Sequence, residues 1–275
     1  MTRQYSPEIQ ALAQNILANR KYRDLGLPMA TVCELLEMEI PRHKSLKAAE
    51  QVVRKKLHQI VAPYLGDPDY ATEQIELRKV FASGDRLAIR AKCTQLLSTH
   101  ASTRERIHLL DHFYDQIFSK TGLPHSILDL ACGLHPFSLP WMKLPEDVVY
   151  YAYDIHQPRI ELINTFFECS HLPQQAIAED ILISPPQQTA EVAFFFKEAH
   201  RFEQRQHGCN RAFWQALSVS YLLVSLPTAS LNGRRSLLAQ QRRLVYDTLK
   251  GLPWQVDEIL FDNEIVFVMD KSHGA

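Results

Sequence analysis

Three aspartates raise the first chemical question. Asp129 lies in Ile127-Leu-Asp-Leu-Ala-Cys-Gly133, Asp154 opens Asp154-Ile-His156, and Asp180 sits in Glu179-Asp180-Ile181. They fall 25 and then 26 residues apart, about one strand–helix unit each. Each lies at the end of a short apolar run, and in an open α/β sheet ligands bind beyond the carboxyl ends of the strands. An acid after the second strand suits ribose hydroxyls, so Asp154 is a candidate for that role, and Asp180 for an adenine amino group. Gly133 lets backbone approach a ligand in the first turn. A dinucleotide would need a glycine-rich helix start for its pyrophosphate. The chain has only 9 glycines and neither a GxGxxG nor a GxxxxGK[ST] run. A nucleoside cofactor without phosphate, S-adenosylmethionine, fits the pattern better. The competing reading is that such aspartates cap helices and form turns. Three in step, with Ala131-Cys-Gly133 after the first, favour the site.

The elements that must position these acids fall into two regimes. Residues 1–120 read as short helices, with apolar steps of three and four at Ile9, Leu12 and Ile16, then Val32, Leu35 and Leu36, punctuated by Pro28, Pro41, Pro63 and Pro68. After Gly122-Leu-Pro124, apolar runs alternate with helical stretches: SILDLAC, VVYYAYDI, AFFFK, VSYLLVSLP and EIVFVMD. This alternation predicts a doubly wound α/β sheet, and WQVDEILF with EIVFVMDK predicts a terminal hairpin. The expected organisation is an all-α domain over residues 1–98, followed by an α/β domain over 99–275. Trp141, Trp214 and Trp254 are read as packing anchors.

Composition narrows the classes further. The 275 residues are 46% hydrophobic and 22% charged, with no apolar run long enough to span a bilayer. The first residues lack the apolar stretch of a secretory signal. Cys33, Cys93, Cys132, Cys169 and Cys209 are odd in number and scattered without a CxxC pair. They fit a reducing cytoplasm and no metal site rather than a disulfide framework or a zinc ribbon. A net charge of −1 hides an imbalance: residues 1–125 carry 18 Lys+Arg against 14 Asp+Glu, and the remainder 12 against 17. A basic front half suits a polyanionic partner or a solvated helical surface equally well.

More specific runs resemble a known family. His100-Ala-Ser-Thr-Arg-Glu-Arg106, Asp111-x-x-Tyr114, Ile127–Gly133 with Pro136, Asp154-Ile-His-Gln157, Phe196-Lys197 and Ser225-Leu-Pro-Thr resemble the aminoglycoside-resistance 16S rRNA methyltransferases of the ArmA/Rmt group, as do Arg20-Lys-Tyr-Arg23 and Arg42-His-Lys-Ser45. The resemblance implies a Rossmann-like class I methyltransferase domain behind the all-α domain. The implied reaction is S-adenosylmethionine-dependent methylation of guanine N7 at position 1405 of 16S rRNA in the 30S subunit, giving aminoglycoside resistance. It places His100, Ala101, Ser102, Arg106, Ala131, Gly133, Asp154, Ile155, Asp180, Ile181, Phe196 and Gln206 around the cofactor, with Arg106 on the methionine carboxylate. RNA contacts are expected from Arg20, Lys21, Arg23, His43, Lys44, Arg54, Lys55, Lys56, Arg234 and Arg235. Guanine N7 carries a lone pair and no proton, so no general base is required and none is assigned.

Three segments depart from the family's pattern. Glu198-Ala-His-Arg-Phe202 replaces an apolar run, Gly233-Arg-Arg-Ser-Leu-Leu238 replaces a glycine-rich loop, and His135 replaces an asparagine. They leave two rivals: a ribosome- or RNA-binding homologue that methylates weakly or not at all, and a methyltransferase for another RNA.

Overall fold

The computed structural model describes residues 4–61, 68–230 and 235–272. Helices α1 (Pro7–Leu17), α2 (Met29–Glu39) and α3 (Leu46–Val61) come first, then α4 (Tyr70–Ala82), α5 (Arg86–Thr99), the short α6 (Ala101–Arg104) and α7 (Leu110–Thr121). Capping follows local chemistry. Ser6 accepts from the Ile9 amide ahead of Pro7, Asp69 caps α4, and Asp85 caps α5. In α3 the buried residues Ala49, Val53, Leu57 and Val61 recur every four positions, which lays one apolar stripe against α2.

From residue 126 the chain alternates strands and helices: β1 (Ser126–Leu130), α8 (Leu139–Met142), β2 (Val149–Asp154), α9 (Gln157–Cys169), β3 (Ala176–Ala178), β4 (Ala190–Phe196), α10 (Ala199–Arg205), α11 (Cys209–Ala216), β5 (Val219–Pro227), α12 (Leu238–Leu249), β6 (Gln255–Leu260) and β7 (Glu264–Asp270). They form one sheet in the order β3-β2-β1-β4-β5-β7-β6. The first five are mutually parallel, and β7 runs antiparallel to both neighbours. The expected α/β class and terminal hairpin are both present.

Side chains alternate between two cores, as a strand period of two demands. Ile127, Val192, Phe194, Leu223 and Val266 face one core, and Leu128, Ala193, Phe195, Leu222 and Phe267 face the other. Leu77 of α4 and Cys93, Leu96 and Leu97 of α5 belong to the first of these cores. So α4 and α5, expected in the front domain, share a core with the α/β half, α4 packing on α9 and α5 on the turn after β1. A separate core joins α1, α2 and α3 through Ala13, Ile16, Val32, Leu36, Val53 and Leu57, and Ile155 packs against it. Gly26 (φ +56°) marks the close approach of this bundle to α9, since a Cβ there would lie 2.5 Å from Gln157 Cβ. Trp214 is fully buried and Trp141 nearly so, consistent with packing anchors.

Candidate functional site

The strand ends open into a cleft at the point where the order reverses around β1 and β4. His100, Ser102, Arg106, Ala131, Gly133, Asp154, Ile155, Asp180, Ile181 and Phe196 all line it. Register explains why: Asp129 pairs Ala152 and Asp154 pairs Ala178, so the turns after β1, β2 and β3 are staggered along one edge. Among the described residues, two of the four non-glycine residues with positive φ, Ala131 (51°) and Lys197 (59°), lie on this wall. Ala101 is exposed at the start of α6 and does not line the cleft, and Gln206 instead lines a second small cavity with Glu34, Met38 and Leu182.

The acids arrive already engaged. Asp154, 4% exposed, accepts from the Gly133 amide (3.0 Å), the His156 amide (2.9 Å) and Arg159 Nη1 (3.3 Å). These bonds tie the turn after β1 to the end of β2 and orient one carboxylate into the cleft. Asp180 is held at both oxygens by Arg205 (2.9 and 2.6 Å), and it also accepts the Thr31 hydroxyl (2.8 Å) and the Leu182 amide (3.2 Å). Asp129 Oδ2 accepts the Tyr150 hydroxyl (2.7 Å) and contacts His135 Nδ1 (2.8 Å), whose Nε2 meets the Tyr114 hydroxyl (2.8 Å). The replacement of asparagine by His135 thus builds a buried chain from Asp129 to α7.

Arg106 is buried and paired through Nε and Nη2 with fully buried Glu264 of β7, and its guanidinium stacks 4.4 Å from Phe113 and 4.7 Å from Phe196. Burial opposes ionisation of Glu264, but Arg106 and Lys197 outweigh it and hold the carboxyl below its ordinary range. Lys197 bridges Glu105 (2.6 Å) and Glu264 (3.6 Å). Glu198 lies in the cleft wall within 3.4 Å of Arg201. Burial pushes its carboxyl up to about 7 against the pull of Arg201, with Asp154 adding to the rise. Burial and then Arg159 lower His100 to about 4, so its ring is neutral at pH 7; its Nδ1 meets the Ser102 hydroxyl at 2.7 Å.

The front bundle supplies one wall of the cleft through Lys56, Gln59 and Ile60 of α3. Lys56 Nζ binds buried Glu39 (2.8 Å), which also holds His43 (3.0 Å) and Arg42 (3.4 Å). Arg20, Lys21, Arg23, Lys44 and Lys55 are exposed, and Arg54 is half-buried. Arg235 is exposed, whereas Arg234 lies outside the described residues. The departing segment Glu198–Phe202 places Glu198, Arg201 and Phe202 on the cleft wall beside Arg205, which the sequence did not single out. The three- and four-residue spacing of these side chains was the available signal.

The lining fits an adenosyl group. Apolar Leu130, Ala131, Ile155, Ile181 and Phe202 would wall a purine, with polar groups converging at a few points. A family model described as "Ribosomal RNA methyltransferase (FmrO)" matches residues 18–268. The chain belongs to that family. It is 34% identical to a 16S rRNA (guanine(1405)-N(7))-methyltransferase of Serratia marcescens over 261 residues, covering 94% of this chain and 96% of the relative. The structure of the 16S rRNA methylase RmtB superposes with a TM-score of 0.76 at 29% identity, covering 98% of this chain and 100% of RmtB. The 16S rRNA methyltransferase RmtF, solved in complex with S-adenosyl-L-homocysteine, matches at the same TM-score and 27% identity, covering 98% of this chain and all of RmtF. The fold of this family member is thus the Rossmann-like methyltransferase sheet, preceded by helices. No helix among the described residues is long and apolar enough to cross a membrane.

Proposed function

We propose that this member of the FmrO family methylates N7 of guanine 1405 in 16S rRNA of the 30S subunit, using S-adenosylmethionine, and thereby confers aminoglycoside resistance. The observation that carries the reading is the single cleft in which Asp154, Asp180, Ile181, Arg106 and His100 converge, in a chain similar over nearly its whole length to enzymes of that name. The bound cofactor supplies an electrophilic methyl group on a sulfonium. Asp154 accepts from ribose hydroxyls, and Asp180 with the backbone of Ile181 meets the adenine edge. Arg106 offers the carboxylate Nη1, the guanidinium nitrogen that Glu264 does not use. Neutral His100 adds no positive charge beside a cationic reactant. Because guanine N7 attacks through a lone pair, holding the partners in line is sufficient and no base is needed.

For docking, the reading assigns Arg20, Lys21, Arg23, His43, Lys44, Arg54 and Lys55 to rRNA phosphates in a cytoplasmic setting. Phosphate contact of this kind reads shape and is salt-sensitive. Lys56 carries the basic surface to the cleft. The docking unit on this reading is α1–α3, and α4 and α5 pack against the α/β half. The test is methyl transfer from labelled S-adenosylmethionine to unmodified 30S subunits, with borohydride–aniline cleavage mapping the product. Strand scission at guanine 1405 is the expected result. Cofactor binding without transfer to 30S would move the target to another RNA.

A further inference from the structure

Asp180 has every acceptor position filled. A carboxylate offers about four lone-pair directions. At Oδ1 they are taken by Arg205 Nη1 (2.9 Å) and the Leu182 amide (3.2 Å), and at Oδ2 by Arg205 Nη2 (2.6 Å) and the Thr31 hydroxyl (2.8 Å). Another donor entering from the cleft must displace one of them. The Arg205 pair is charged and two-pronged, and charge-assisted bonds of that kind are about twice as strong as neutral ones. The Leu182 bond belongs to the turn that carries Asp180. Thr31 is the neutral, single contact, and it comes from across the molecule.

Its origin gives the contact meaning. Thr31 is fully buried in the first half of α2, whose core joins α1 and α3 rather than the sheet. The chain stretches flanking α2 carry the two basic clusters, Arg20–Arg23 before it and Arg42–Lys44 after it. One hydroxyl therefore connects the helix between the basic clusters to an acid of the cofactor cleft.

We propose that Thr31 is a coupling latch: the 6-amino group of the cofactor's adenine competes with the Thr31 hydroxyl for Asp180, so that filling the cleft releases α2. This rests on the cofactor reading given above. A displaced hydroxyl at a fully buried position must find a new partner or move, because an orphaned buried donor is costly. The bundle that carries the basic clusters then shifts or loosens when the cofactor binds. Linkage makes the effect reciprocal: whatever factor the cofactor applies to 30S affinity, 30S applies to cofactor affinity.

The test is calorimetry on the full chain with S-adenosylhomocysteine and with its 6-deamino counterpart, which carries hydrogen at C6 and has no donor on that edge. Thr31→Val keeps the shape and removes the competitor, so S-adenosylhomocysteine should bind about two- to tenfold tighter, the size of one neutral hydrogen bond. Thr31→Ser should bind as wild type, and Thr31→Val should gain nothing with the 6-deamino ligand. In parallel, 30S affinity should change with S-adenosylhomocysteine in the wild type and become indifferent to it in Thr31→Val. Unchanged or weaker binding by Thr31→Val, or an equal gain for both ligands, overturns the latch. If Thr31→Val does not fold, a wild-type 30S affinity that ignores the cofactor overturns it equally. A wild type that binds no S-adenosylhomocysteine, like an Asp154→Ala control, would instead strike down the cofactor reading and the latch together.

Discussion

Replacing Glu264 with glutamine tests whether the centre of the cleft is held by charge. Glu264 is completely buried, takes two bonds from Arg106, and lies 3.6 Å from Lys197. Glutamine has nearly the same shape, keeps one acceptor, and leaves Arg106 without an anionic partner. Removing one member of a buried pair costs about 3–5 kcal/mol, because the other charge stays desolvated. The retained acceptor places the expected loss near the lower end, about 3 kcal/mol. At about 2–4 °C per kcal/mol for a domain of this size, the melting temperature at pH 7 should fall by about 6–12 °C. The loss should also depend on pH. Glu264 has a depressed folded-state pKa, so its stabilisation is present above the ordinary carboxylate value and disappears as pH falls through the folded value. Thermal melts of wild type and Glu264→Gln across pH 3–8 should therefore converge at the acid end. A gap of under about 2 °C at pH 7, or one that stays constant with pH, would refute the claim that this pair holds the cleft.

Three further outcomes are expected. Glu198 has a raised folded-state pKa of about 7, so its contribution is present below the ordinary carboxylate value and is lost as pH rises through about 7. Glu198→Gln should accordingly gain stability relative to wild type at pH 8 but not at pH 4, as read by paired melts. Gly26→Ala, at φ +56° and with a Cβ 2.5 Å from Gln157, should destabilise by more than the about 1 kcal/mol that left-handed backbone alone costs, measured by urea unfolding. Neutralising Arg20, Lys21 and Arg23 together should weaken 30S binding and flatten its dependence on salt, with the cofactor dissociation constant unchanged; a parallel loss of both would point to misfolding.

Much of the architecture was legible because parallel strands buried on both faces write themselves as unbroken apolar runs, as in Ala193–Phe196. The acids at their ends could be placed for the same reason. Sequence spacing could not show what each acid touches. Arg205 and Thr31 reach Asp180 from 25 and 149 residues away, and such partners are set by tertiary packing alone. Nor could it pair Glu264 with Arg106, 158 residues earlier. The helices α4 and α5 were grouped with the front bundle because amphipathic periodicity gives a buried face without naming what covers it. Motif position alone suggests Gln206 and Ala101, yet Gln206 lines the second cavity and Ala101 is exposed outside the cleft.

The reversed strand β7 also bears on how the protein is made. Arg106 waits for a partner that is synthesised 158 residues after it. At about 5–20 residues per second, that interval is on the order of 8–30 s. Throughout it, the guanidinium destined for the middle of the cleft has no Glu264, and β5 has no β7 on its open side. A nascent chain can fold α1–α3 early through their own short-range contacts, yet it cannot complete the cleft until the hairpin has left the ribosome. Premature termination before residue 264 would therefore leave a chain without the strand whose Glu264 holds Arg106 at the cleft.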